Sequence, residues 1–104
     1  MSLIFEVINI DDIKKIIKDG VIIKNKDHSI HYLGIGYVKS LSDWIDDNYP
    51  DINYRFICDC DNNPALVVGA INMGFKYILF KGDSNYHNKL QNIADKSKVT
   101  LLYV

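Results

Sequence analysis

The chain has 104 residues, 24% charged and 48% hydrophobic, with a formal net charge of −1. That length fits a single domain, 1–104, with a real core, and the balance is too apolar for intrinsic disorder. A pI near 6.2 lacks the basic excess of a nucleic-acid binder, so no nucleic-acid partner is expected.

No apolar run approaches the roughly 18–20 residues that cross a bilayer, and no membrane partner is expected. The opening segment Met1-Ser2-Leu3-Ile4-Phe5-Glu6 has no positive charge ahead of its apolar residues, unlike a secretory signal. The two cysteines, Cys58 and Cys60, are too close in sequence to staple distant parts of a fold. Reduced thiols and a cytoplasmic address follow as expectations. Glu6 is the only Glu and Arg55 the only Arg, while Ile, Asn, Lys and Tyr are abundant. Such usage is what mutational bias in an AT-rich genome produces, so surface Lys and Asn are discounted as functional signals.

In chain order, Leu3 to Ile8 reads as a strand with Asn9 to Asp12 as its exit. Asp11 or Asp12 then caps a short helix whose apolar positions are Ile13, Ile16 and Ile17, with Gly20 as its stop. Val21-Ile22-Ile23 is a second strand, leading into a polar stretch from Lys24 to Ser29. Ser29 to Leu33 alternates in polarity and reads either as a strand pairing back on Val21–Lys24 or as the loop before the next helix. That helix carries Tyr37, Val38, Leu41, Trp44 and Ile45 on one face and ends at Pro50.

Tyr54 to Cys58 is a nearly continuous apolar run, as in a strand covered on both faces. Asn63-Pro64 reads as an N-cap followed by a first-turn proline, opening an apolar helix from Ala65 to Met73 that Gly74 closes. Lys76 to Phe80 is a strand, and Ser84 to Lys96 an amphipathic helix with Tyr86, Leu90, Ile93 and Ala94 inward. Val99 to Val104 is the last strand. About five strands alternating with four helices require an α/β fold with a mainly parallel sheet. The expectation is a three-layer, flavodoxin-like domain, with a half-barrel-like βα repeat as the alternative.

Ligands of parallel sheets bind at the carboxyl ends of the strands. That edge gathers Asn9, Asp11 and Asp12, then Asp59, Cys60, Asp61 and Asn62, then Lys81, Gly82, Asp83 and Ser84. Asp11, Asp12, Asp61, Asn62, Asp83 and Ser84 are the candidate ligand-binding residues, for a small anionic ligand or an unidentified protein partner. Converging carboxylates also suit Mg²⁺ held with a phosphate. The plainer reading makes these residues helix caps and solvated loop ends.

With an acidic pair after the first strand and an Asp after the third, this layout resembles a response-regulator receiver domain. The stretch from Ala70 to Gly82, AINMGFKYILFKG, is similar to that family's closing segment. The resemblance implies that Asp11 and Asp12 hold Mg²⁺, that Asp59 accepts phosphate and that Lys81 assists as a catalytic residue. In the family that lysine ends the fifth strand, whereas Lys81 ends the fourth counted here. Residues 54–104 are also similar to small uncharacterised bacterial α/β domains, a likeness that brings no known activity.

Cys58-x-Cys60 places both thiols on one side of a strand, and small buried unreactive thiols are the expectation. His28-x-x-His31 offers a general base without a nucleophile motif. Gly34-Ile35-Gly36 reads as a tight turn before a helix, whereas Lys81-Gly82-Asp83-Ser84 reads equally as an anion site at the start of the last helix or as a turn with Ser84 as its cap. A non-catalytic α/β module is the leading expectation, with no resident cofactor, and a Mg²⁺-dependent phosphoacceptor is the alternative. A surface cluster among the seven Tyr would favour protein contact, and a homodimer is kept open.

Overall fold

The computed structural model describes residues 3–104; Met1 and Ser2 of the opening segment lie outside the described residues. Five strands alternate with helices: β1 (Ile4–Val7), α1 (Ile10–Ile16), β2 (Val21–Asn25), α2 (Ile30–Leu33), α3 (Ile35–Asn48), β3 (Tyr54–Asp59), α4 (Pro64–Asn72), β4 (Tyr77–Phe80), α5 (His87–Lys96) and β5 (Thr100–Tyr103). A short 3₁₀ turn, Ser84–Tyr86, precedes α5. The fold is α/β, with all five strands parallel in one sheet, as the alternation of elements required.

The strand order is consecutive, β1-β2-β3-β4-β5, the order of the half-barrel-like variant. A flavodoxin-like order sets β1 inside the sheet; here β1 lies at an edge beside β2 alone. Successive right-handed crossovers advancing in one direction bring their helices to one side of a sheet. The core shows this. Val7, Val21, Ile23, Phe56, Cys58, Ile78, Phe80 and Leu101 share one side of the strands by pairing register. They form one buried cluster with Ile13, Ile30, Val38, Leu41, Ile45, Val67, Ala70, Leu90 and Ala94 from the helices. Burying each large side chain stabilises the fold by roughly 1.5–3 kcal/mol.

The opposite side of the same strands carries Ile4, Glu6, Ile22, Lys24, Arg55, Ile57, Asp59, Tyr77, Leu79 and Leu102. None of these belongs to the helix-packed core. The Arg55 guanidinium stacks over the Tyr77 ring at 5.5 Å near the amino end of this open face. Charged side chains gather at the other end.

Local chemistry explains where elements begin, and here several expectations change. Asn9, not Asp11 or Asp12, caps α1: its side chain accepts from the Asp12 N–H at 2.8 Å. Asp12 reciprocates by accepting from the Ile8 N–H at 2.9 Å, a box that ties down two backbone donors. Asn63 caps α4 as expected, accepting from Ala65 and Leu66, with Pro64 in the first turn. Asp83, rather than Ser84, accepts from the Asn85 N–H at the last turn.

Ser29 to Leu33 is neither a strand nor an irregular loop, because Ile30–Leu33 forms the single turn α2. Tyr37 and Tyr86, expected inward, are exposed; Val38, Leu41, Ser42 and Ile45 are what α3 buries. The second strand does not stop at Ile23 but runs on through Lys24 and Asn25, both buried. That extension builds the site.

Candidate functional site

Asn25 is fully buried. Its side-chain oxygen accepts from the Asp59 N–H at 2.8 Å, and its amide nitrogen donates to the Asp59 carbonyl at 3.0 Å. The backbone pairing of β2 with β3 ends at Lys24 and Ile57, so the Asn25 amide stands in for the next rung. The same nitrogen donates to the Ser29 hydroxyl at 3.2 Å, anchoring the turn that follows. The backbone of Asp59 is thereby fixed.

The Asp59 side chain turns to the open face and is completely buried there. One of its oxygens, Oδ1, accepts from the Asp61 N–H at 2.9 Å. The other, Oδ2, meets two ammonium groups, Lys24 Nζ at 2.7 Å and Lys81 Nζ at 2.8 Å. Asp27 closes the arrangement, its Oδ1 lying 2.7 Å from Lys24 Nζ and 2.6 Å from Lys81 Nζ. Two lysines and two aspartates thus alternate in a ring, and Glu6 adds a third carboxylate to Lys24 at 2.9 Å. Lys24 is the hub. Its side chain is only 10% exposed, whereas that of Asp27 is 53% exposed.

The protonation states follow from these contacts. Burial opposes the charge on Lys24, but hydrogen bonds to Asp27, Asp59 and Glu6 outweigh it and raise its pKa above the ordinary lysine value. Burial acts against Lys81 too, and bonds to Asp27 and Asp59 again leave its pKa raised. Hydrogen bonds from Lys24 and then Lys81 hold the Asp27 carboxyl well below the usual carboxylate range. Both lysines are therefore ammonium ions at neutral pH. Neither is the neutral amine that a nucleophile or a base must be.

A second cluster adjoins the first. Asp61, in a left-handed backbone conformation at φ 54°, carries an oxygen 2.8 Å from His31 Nε2 and 3.2 Å from His28 Nδ1. The hydrogen bond with His31, and more weakly that with His28, lowers its pKa against the opposing effect of burial. His28 also has a positive φ, 64°, so the turn from Lys26 to Ser29 is held in a conformation that L-residues rarely adopt. Gly82 closes the edge from the other side: a Cβ there would run into the Phe80 ring and lie 2.9 Å from the Asn62 carbonyl oxygen.

Of the residues expected to form a site, Asp59 and Lys81 are brought together, and Asp61 pairs with the histidines beside them. Asp11 and Asp12 stay in the first turn of α1, where Asp12 serves the cap. Asp83 and Ser84 are exposed at the start of the 3₁₀ turn, and Asn62 is exposed in the turn after β3. Among the described residues no group of three or more His, Cys, Asp or Glu side chains is placed to hold a metal ion. With two ammonium groups on its Oδ2, Asp59 does not fit as a Mg²⁺ ligand.

Cys58 and Cys60 are free and buried, with sulfurs 3.8 Å apart. The hydrogen bond between them, with burial, pushes the Cys58 thiol up. Lys24, Asn25, Asp27 and Glu6 were missed from sequence. A usable signal existed, because Lys24, Asp59 and Lys81 each stand at or just beyond the carboxyl end of an apolar run.

Comparison with protein-family models, with curated proteins and with solved structures finds no match. No helix of the described residues is long and apolar enough to cross a membrane.

Proposed function

We propose that this chain is a non-catalytic α/β module that binds a small anionic ligand, through a carboxylate or phosphate group, at the carboxyl edge of its sheet. The observation that carries the reading is the lysine pair. Lys24 and Lys81 sit on either side of one carboxylate oxygen of Asp59, each within 2.8 Å, on the sheet face that the helices leave open. Two fixed ammonium groups face three carboxylates, Asp59, Asp27 and Glu6, so what this edge offers an oxyanion is not excess positive charge but the pair of charge-assisted bonds that the exposed Asp27 now takes. The protonation of both lysines supports holding an anion rather than attacking a substrate.

The test is stabilisation by inorganic phosphate. A ligand that binds only the folded state adds about 1.4 kcal/mol at ten times its Kd, enough to raise the Tm measurably in a chain this size. The expected result is a saturable rise in Tm for the native chain and no such rise for Lys81→Met. A rise of equal size in both would point to general salt stabilisation and remove the reading.

A further inference from the structure

We propose that Asp27 is a tethered occupant of the anion site, its carboxylate filling the place that an oxyanion ligand takes between the Lys24 and Lys81 ammonium groups. The inference rests on the reading of this edge as a small-anion site and adds how the site is regulated. The two aspartates of the ring have unlike constraints. Asp59 is an immobile floor: its side chain is fully buried, its backbone is held by Asn25, and its second oxygen is held by the Asp61 N–H.

Asp27 comes from the exposed turn between Lys26 and Ser29, which closes on itself through the Ser29 N–H to the Lys26 carbonyl at 2.9 Å. A single oxygen, Oδ1, makes both of its lysine contacts. Rotation of the Asp27 side chain releases both ammonium groups at once without opening that turn. Lys24 keeps Asp59 and Glu6 when this happens, and Lys81 keeps Asp59.

A carboxylate or a singly charged phosphate group that takes the place of Asp27 Oδ1 restores the two charge-assisted bonds to the lysines, while the displaced Asp27 carboxylate turns to solvent on its exposed turn. Displacing two charge-assisted bonds carries a cost that any ligand must overcome, so the native chain binds oxyanions more weakly than its lysine pair alone would. The carboxylate of Asp27 and that of a ligand are competitors for one position.

The experiment compares dissociation constants for acetate and for inorganic phosphate, read from amide NMR shifts. The proteins are the native chain, Asp27→Ala, Asp27→Asn, the exposed-site control Asp47→Ala and the double variant Asp27→Ala with Lys81→Met. Asp47→Ala changes net charge by the same amount away from the ring, and Asp27→Asn retains the side chain's size. The expected result is binding roughly tenfold tighter in Asp27→Ala than in the native chain or Asp47→Ala, with a smaller gain in Asp27→Asn and loss of binding in the double variant. Tightening for acetate alone or phosphate alone supports the proposal and identifies the ligand's charged group. Equal affinity in Asp27→Ala and Asp47→Ala overturns the role of Asp27 while leaving the anion site in place. Absence of saturable shifts in every variant overturns both.

Discussion

The two sides of β3 make opposite use of the same backbone. Phe56 and Cys58 face the helices and join an apolar cluster. Ile57 and Asp59 face the other way, and Asp59 is as buried as Cys58 yet lies in a ring of charges. On the first side burial stabilises directly, because apolar surface leaves water. On the second, Ile57 and Leu79 are buried too, but burial of the charged groups costs desolvation, which ion pairing and hydrogen bonds must offset, and such networks are weak evidence for stability.

The largest expected effect lies on the helix-covered side. Phe80 is fully buried there, and Phe80→Ala should cost about 3–5 kcal/mol by leaving a cavity. Denaturant unfolding measures it, and a loss below about 1 kcal/mol would mean that the core collapses around the gap. On the open side, Asp59→Asn should cost about 3 kcal/mol, because Lys24 and Lys81 then lose their buried counter-charge. A variant as stable as the native chain would show the ring to be energetically idle, and the contrast between the two sides would disappear.

A smaller effect appears at the amino end of β3, in its pH dependence. The Tyr54 hydroxyl lies 2.6 Å from an Asp46 oxygen and 3.2 Å from the Ser42 carbonyl. Burial, with the Asp46 carboxylate beside it, pushes the phenol up to about 12. A pKa raised by folding stabilises the fold fully below the unfolded value of about 10, and that contribution is lost as pH rises through the folded value. Thermal melts should therefore show Tm falling between pH 10 and about 12. Asp46→Asn should shrink the fall; an unchanged profile would assign it to other groups. The smallest expected effect is on the open side, where Arg55→Ala removes the stacking over Tyr77 at about 0.5–1 kcal/mol. A loss above about 2 kcal/mol would mean that this end of the face is packed as tightly as the core.

Sequence carried the helix-covered side well because that side obeys local rules. The apolar run before Asp59, the Asn63-Pro64 start and the stop at Gly74 are each written in neighbouring residues, and the structure has them. The open side was less legible. Lys24 and Asn25 read as the start of a polar loop because nothing near them in sequence explains their burial. Their partners, Asp59 and Lys81, lie on other strands and meet them only once the sheet forms. Acidic residues after the first strand were expected to reach the same edge, yet Asn9 claimed Asp12 for the cap of α1. Strand order was not legible either: alternation fixes a parallel sheet but not which strand lies at its edge.

The most direct test of the central claim is nitrogen NMR of the lysine side chains during titration with inorganic phosphate. The account predicts saturable shifts at Nζ of Lys24 and Lys81 with one common dissociation constant, while the exposed lysines, Lys26 and Lys89 among them, drift only slightly with ionic strength. Uniform small drifts across all the lysines, with nothing saturable at Lys24 or Lys81, would contradict it.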